Sequence, residues 1–87
     1  MKLKRARKII KAATIQPGAT WANWITLSEE AREFYVRNAC DAARERGVGV
    51  ADPGVVLAEM KSLYSKKLYQ SQPVAQVFGM AFALNKN

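Results

Sequence analysis

The residues best placed to do chemistry in this 87-residue chain are six cations, Lys2, Lys4, Arg5, Arg7, Lys8 and Lys11, all within the first eleven positions. No acid precedes Glu29, whereas residues 12–87 set eight cations against seven acids, so nearly all of the net charge of +7 sits at one end. A cationic tip on an almost neutral body is an electrostatic device for touching something anionic. On phosphates, Arg5 and Arg7 offer planar forks that engage two oxygens at once, while the four lysines act as point charges. Such contact gains affinity by releasing condensed counterions and needs no reading of base sequence.

Other chemistries find little support. With no histidine in the chain, a Cys/His zinc site and histidine acid–base catalysis are excluded, and a serine or cysteine nucleophile lacks its usual base. Glu29, Glu30 and Glu33 bring carboxylates together only at an expected helix start, where the helix dipole accounts for them. Gly47, Val48 and Gly49 lack the third glycine and the Lys-Ser/Thr ending of a phosphate loop. The chain is therefore expected not to be an enzyme and to require no metal and no cofactor. Cys40, the single cysteine, cannot close an internal disulfide. It reads as a small buried hydrophobe and fits a reducing, cytoplasmic setting. Lys11, Thr14, Gln16 and Pro17 interrupt any apolar run long enough for a secretory peptide, and the basic run is richer in lysine than arginine and poor in serine, unlike a mitochondrial presequence. Nothing approaches the ~20 apolar residues of a membrane span.

The elements that must position these residues read as helices. About half of the residues are apolar, 49 %, which at this length suffices for one small core and therefore one domain, residues 1–87. The expected fold is all-α, a small bundle of about four helices with a short extra turn around Trp21–Trp24. Leu3, Ala6, Ile9, Ile10 and Ala13 recur at three- and four-residue steps and predict a basic amphipathic helix over residues 2–14, stopped by Pro17 and Gly18. Ser28, followed by Glu29 and Glu30, marks the start of a helix that runs to about Arg46 and stops at Gly47. Its inner side is expected at Ala31, Phe34, Tyr35, Asn38, Ala39, Ala42 and Ala43. Asp52 and Pro53 open the next helix as N-cap and first residue, with Val56, Met60, Leu63, Tyr64 and Leu68 as its stripe.

Ser71, Gln72 and Pro73 introduce a last helix carrying Val74, Val77, Phe78, Ala81 and Leu84. Met80, Phe82 and Ala83 add apolar surface away from that stripe, and a helix apolar nearly all round must be covered on more than one side. It is expected either to be the central helix of the bundle or to offer Val74, Val77, Phe78 and Phe82 to a partner, a second chain or another copy of itself in a homodimer. Gly79 is a weak point for a helix, and a short strand over residues 77–82 is the alternative.

The stretch from Ala42 to Leu63 resembles the first helix and turn of a helix-turn-helix DNA reader, with Ala43 four residues before Gly47. The pattern then departs: Pro53 stands where a packing valine or isoleucine belongs, and the second helix would begin Asp52-Pro53-Gly54, with no base-reading side chain. A plain helical hairpin accounts for it. Trp21 and Trp24 are candidate stacking platforms for single strands as well as candidate core residues.

Two functional expectations follow. In the first, the protein is a non-enzymatic, nucleic-acid-associated accessory or regulatory protein that grips DNA or RNA backbone through Lys2, Lys4, Arg5, Arg7, Lys8 and Lys11. In the second, it is a small adaptor or inhibitor that docks on an acidic patch of a larger protein through the basic helix and the apolar C-terminal helix. Small basic helical proteins without histidine are common among phages and mobile elements, an association of composition only.

Overall fold

In the computed structural model, residues 18–87 are described, and every regular element among them is helical. The expected helix over residues 2–14 lies outside the described residues. In chain order the helices are α1 (Trp21–Trp24), α2 (Glu29–Glu45), α3 (Pro53–Tyr64), α4 (Lys67–Gln70) and α5 (Val74–Asn85). The all-α expectation, with its short turn at Trp21–Trp24, is met. The alternative strand over residues 77–82 is replaced by continuous helix.

Local chemistry accounts for the boundaries. Before α1, the Thr20 N–H donates to Asn23 Oδ1 (3.1 Å), and after it the Thr26 hydroxyl donates to the Asn23 carbonyl (2.6 Å), so the single turn is closed at both ends. Helix α2 begins where the Ala31 N–H donates to Ser28 Oγ (3.1 Å), with Glu29 and Glu30 in the first turn. It ends with Gly47 at a φ of 73°. There the Val48 N–H reaches the Ala43 carbonyl and the Gly47 N–H reaches that of Arg44, both at 3.0 Å, the paired bonds of a Schellman stop. Helix α3 opens with the Gly54 N–H donating to Asp52 Oδ1 (2.8 Å) and Pro53 in the first turn.

Two expectations are corrected. The buried side of α2 is Ala31, Val36 and Cys40, with Tyr35 and Ala43 packed against the core, while Asn38 is exposed. The run Phe34-Tyr35-Val36 and the pairs Ala39-Cys40 and Ala42-Ala43 leave the phase of the helix open, and packing against α3 settles it. The stripe of α3 stops at Tyr64 because Lys66 turns extended, at φ −100° and ψ 126°. The Ser65 hydroxyl and N–H both fold back on the Ser62 carbonyl, at 2.6 and 3.2 Å. Leu68 consequently falls on the exposed side of α4, and Gln70 Nε2 donates to the Tyr64 carbonyl left at the break (3.0 Å).

Packing centres on α3, which lies against α5 and α2. Its buried Val56, Met60 and Tyr64 meet Val74, Val77, Ala81 and Phe82 of α5 and Val36 and Cys40 of α2 in one cluster. A run of ring contacts ties the helices together: Tyr64 to Trp24 (6.4 Å between centroids), Trp24 to Tyr35 (5.6 Å, near-perpendicular), Tyr35 to Phe78 (6.2 Å, near-perpendicular) and Phe78 to Phe82 (5.8 Å). Edge-to-face pairs of this kind are worth about 0.5–1.5 kcal/mol beyond burial. Two backbone bonds fasten the frame from outside: the Val74 N–H donates to the Ala19 carbonyl (2.7 Å) and the Asn87 N–H to the Val50 carbonyl (2.8 Å).

The glycines of this frame make opposite predictions. An added Cβ at Gly79 has open space and an ordinary φ, so Gly79→Ala should stabilise the protein by about 0.5–1 kcal/mol. At Gly47 the space is open but the left-handed φ is not, so Gly47→Ala should destabilise it by roughly 1 kcal/mol. Urea unfolding followed by circular dichroism distinguishes the signs.

Candidate functional site

The six N-terminal cations lie outside the described residues. Of the four residues expected to meet a partner, Val74 and Val77 are fully buried and Phe82 is 5 % exposed. Phe78 keeps partial exposure, with its ring set between Tyr35 and Phe82. Val74, Val77 and Phe82 thus pack into the bundle's own core, while Phe78 is partly exposed and Leu84, further along α5 and expected on the same stripe, is exposed. Cys40 is free and buried. Burial pushes its thiol pKa up, and the carboxylates of Asp41 and Asp52 push it in the same direction, so the sulfur stays a protonated, packed hydrophobe at neutral pH.

A concavity does form where α1, the first turns of α2 and the exposed side of α3 converge. It measures about 480 Å³, within the range of small-ligand pockets. Trp21, Trp24 and Ile25 line it from the α1 side, and Leu57 and Ala58 from α3. Glu29 and Arg32 come from α2, and Lys61 and Tyr64 from the second half of α3. Each arrives by local rules: Trp21 and Trp24 sit three apart on one turn, Glu29 follows the Ser28 cap, and Leu57, Lys61 and Tyr64 recur at four- and three-residue steps. A second depression of about 440 Å³ adjoins it, sharing Gly54 and Leu57 and edged by Glu33, Arg37 and Asp52.

Two of the groove's side chains carry buried polar atoms with no hydrogen-bond partner, Arg32 Nε and the Tyr64 hydroxyl. Tyr64 is only 5 % exposed. Burial, and secondarily the nearby Tyr35, push its pKa up from 10.0 to about 12, so at neutral pH the phenol is a proton donor. Guanidinium is a donor at every pH. The groove therefore combines an aromatic and aliphatic wall, two buried donor atoms without partners, the exposed ammonium of Lys61 and the exposed carboxylate of Glu29. Among the described residues no group of three or more His, Cys, Asp or Glu side chains could hold a metal, and no helix is long and apolar enough to cross a membrane.

The tryptophan pair was visible in the sequence as a possible platform, and the structure divides its roles. Trp24 is core, 4 % exposed, while Trp21 is half-buried and faces the groove. Arg32, Lys61 and Tyr64 were not legible as site residues, because each looks like an ordinary helix position until three elements bring them together. Protein-family models, curated proteins and solved structures were all compared with the chain, and none matches it.

An unpartnered buried hydroxyl costs stability, so Tyr64→Phe should raise the unfolding free energy by about 1 kcal/mol. Because the folded pKa lies above the unfolded one, the native state holds the Tyr64 proton more tightly. The associated stability is complete below about pH 10 and is lost as pH rises toward about 12. Thermal melts between pH 8 and 12 should show the wild type losing stability more steeply over that interval than Tyr64→Phe.

Proposed function

We propose that this is a non-enzymatic, nucleic-acid-associated accessory protein of the cytoplasm, which contacts the phosphate backbone through Lys2, Lys4, Arg5, Arg7, Lys8 and Lys11. The observation that carries the reading is charge placement: six cations and no acid in the first eleven residues, ahead of a body whose charges nearly cancel. Among the described residues no charged side chain is buried, and an ion pair such as Arg44–Asp41 (3.5 Å) joins exposed partners of the body itself. Exposed pairs like this contribute about 0–1 kcal/mol, so the scaffold owes its stability to the apolar cluster and not to charge.

Arg5 and Arg7 would each bridge two phosphate oxygens, and the lysines would neutralise neighbouring phosphates without selecting sequence. The alternative, an adaptor or inhibitor docking through the basic helix and α5, would have Phe78 as its partly exposed α5 contact, since Val74, Val77 and Phe82 pack in the bundle's own core.

If all six cations meet duplex phosphates, the logarithm of the binding constant should fall with the logarithm of salt concentration at a slope of about −5. Replacing Arg5, Arg7 and Lys8 together by glutamine should reduce the slope by nearly three units and leave the circular dichroism spectrum unchanged. Retention of duplex DNA or RNA by the triple variant at wild-type strength would refute the assignment.

A further inference from the structure

We propose that the groove between α1, α2 and α3 receives one unpaired base of a single-stranded nucleic acid, stacked on Trp21. This rests on the phosphate-contact reading above and adds to it a preferred strand form. The groove's size, about 480 Å³, suits a ligand of nucleotide scale. Its wall is the half-buried indole of Trp21 beside Trp24 and Leu57, and every base has a π-face that such a ring accepts.

The polar equipment points the same way. Arg32 Nε and the Tyr64 hydroxyl are buried donors without partners, on residues that line the groove and are reached by a ligand that enters it, while Glu29 on the rim is an acceptor. A simple anion would use the donors and be repelled by the carboxylate. A base edge presents acceptors and donors together and can use both. Lys61, exposed on α3, supplies a positive charge for a flanking phosphate. A base stacked inside a duplex cannot offer its face, so the groove selects unpaired strands.

Both tryptophans of the chain line the groove, which makes intrinsic fluorescence the direct readout. The intact protein is titrated with a short single-stranded oligothymidylate, with the matching duplex and with polyglutamate, and folding of every variant is checked by thermal melting. Saturable quenching by the single strand, weaker for the other two probes, is expected. Trp21→Ala should weaken single-strand binding by roughly ten-fold, and Trp21→Phe, which keeps a ring, should restore most of it. Lys61→Ala, at an exposed position, should leave the fold intact and lower the salt slope by about 0.7.

The inference is overturned if the oligothymidylate does not quench, if polyglutamate quenches as strongly, or if a folded Trp21→Ala protein binds the single strand at wild-type strength. Should Trp21→Ala melt the fold, an unchanged salt slope in Lys61→Ala overturns it instead. Duplex retention that depends on Arg5, Arg7 and Lys8, without single-strand quenching, would remove the groove assignment and leave the phosphate reading standing. Loss of that dependence would remove both.

Discussion

The interaction on which this fold depends is the burial of one indole. Helix α1 has four residues, far fewer than an isolated helix needs to hold together in water, so it exists because Trp24 is docked. That ring touches Tyr35 of α2 and Tyr64 of α3, and through Tyr35 the contact passes to Phe78 and Phe82 of α5. Removing a buried tryptophan costs about 3–5 kcal/mol, a large part of the ~5–15 kcal/mol that holds a small domain folded. The same docking places Trp21, one turn earlier, at the mouth of the groove. Core and surface feature therefore share a single anchor.

The groove is where the structure departs from an economical packing. An apolar wall beside two unpartnered polar atoms is costly, since a buried hydroxyl without a partner costs more than one never introduced. Elsewhere the chain satisfies its polar groups closely: Ser28, Asp52, Ser65, Gln70, Ser71 and Asn85 all place side chains on nearby backbone. Local exceptions to an otherwise consistent design are the places where function is to be sought.

Much of the fold was legible because capping is local. Ser28 ahead of two glutamates, Asp52 ahead of Pro53, and Gly47 after a run of helix formers each act within one turn, and each fell where the sequence placed it. Phase and continuity were less legible because they are decided at a distance. In α2, apolar residues on several sides left the choice of face to packing against α3. In α3, the stripe could have continued to Leu68, but Ser65 returns two hydrogen bonds to Ser62 and the chain breaks. The candidate site was half visible: two tryptophans three apart signal a platform, whereas Arg32 belongs to α2 and Lys61 and Tyr64 to α3, and they acquire a common purpose only in three dimensions. For α5, the excess of apolar side chains pointed to the central helix of the bundle, but that place is taken by α3; α5 buries Val74, Val77, Ala81 and Phe82 against it and leaves Leu84 exposed.

The backbone bonds from Val74 to Ala19 and from Asn87 to Val50 carry a consequence for how the chain reaches this state. Each joins segments distant in sequence, so neither can form until intervening helices are arranged, and the entropy of closing those loops is spent before the contacts are gained. A helical fragment excised from the middle of the chain would lack both fastenings, and a domain of this size is expected to unfold as one cooperative unit.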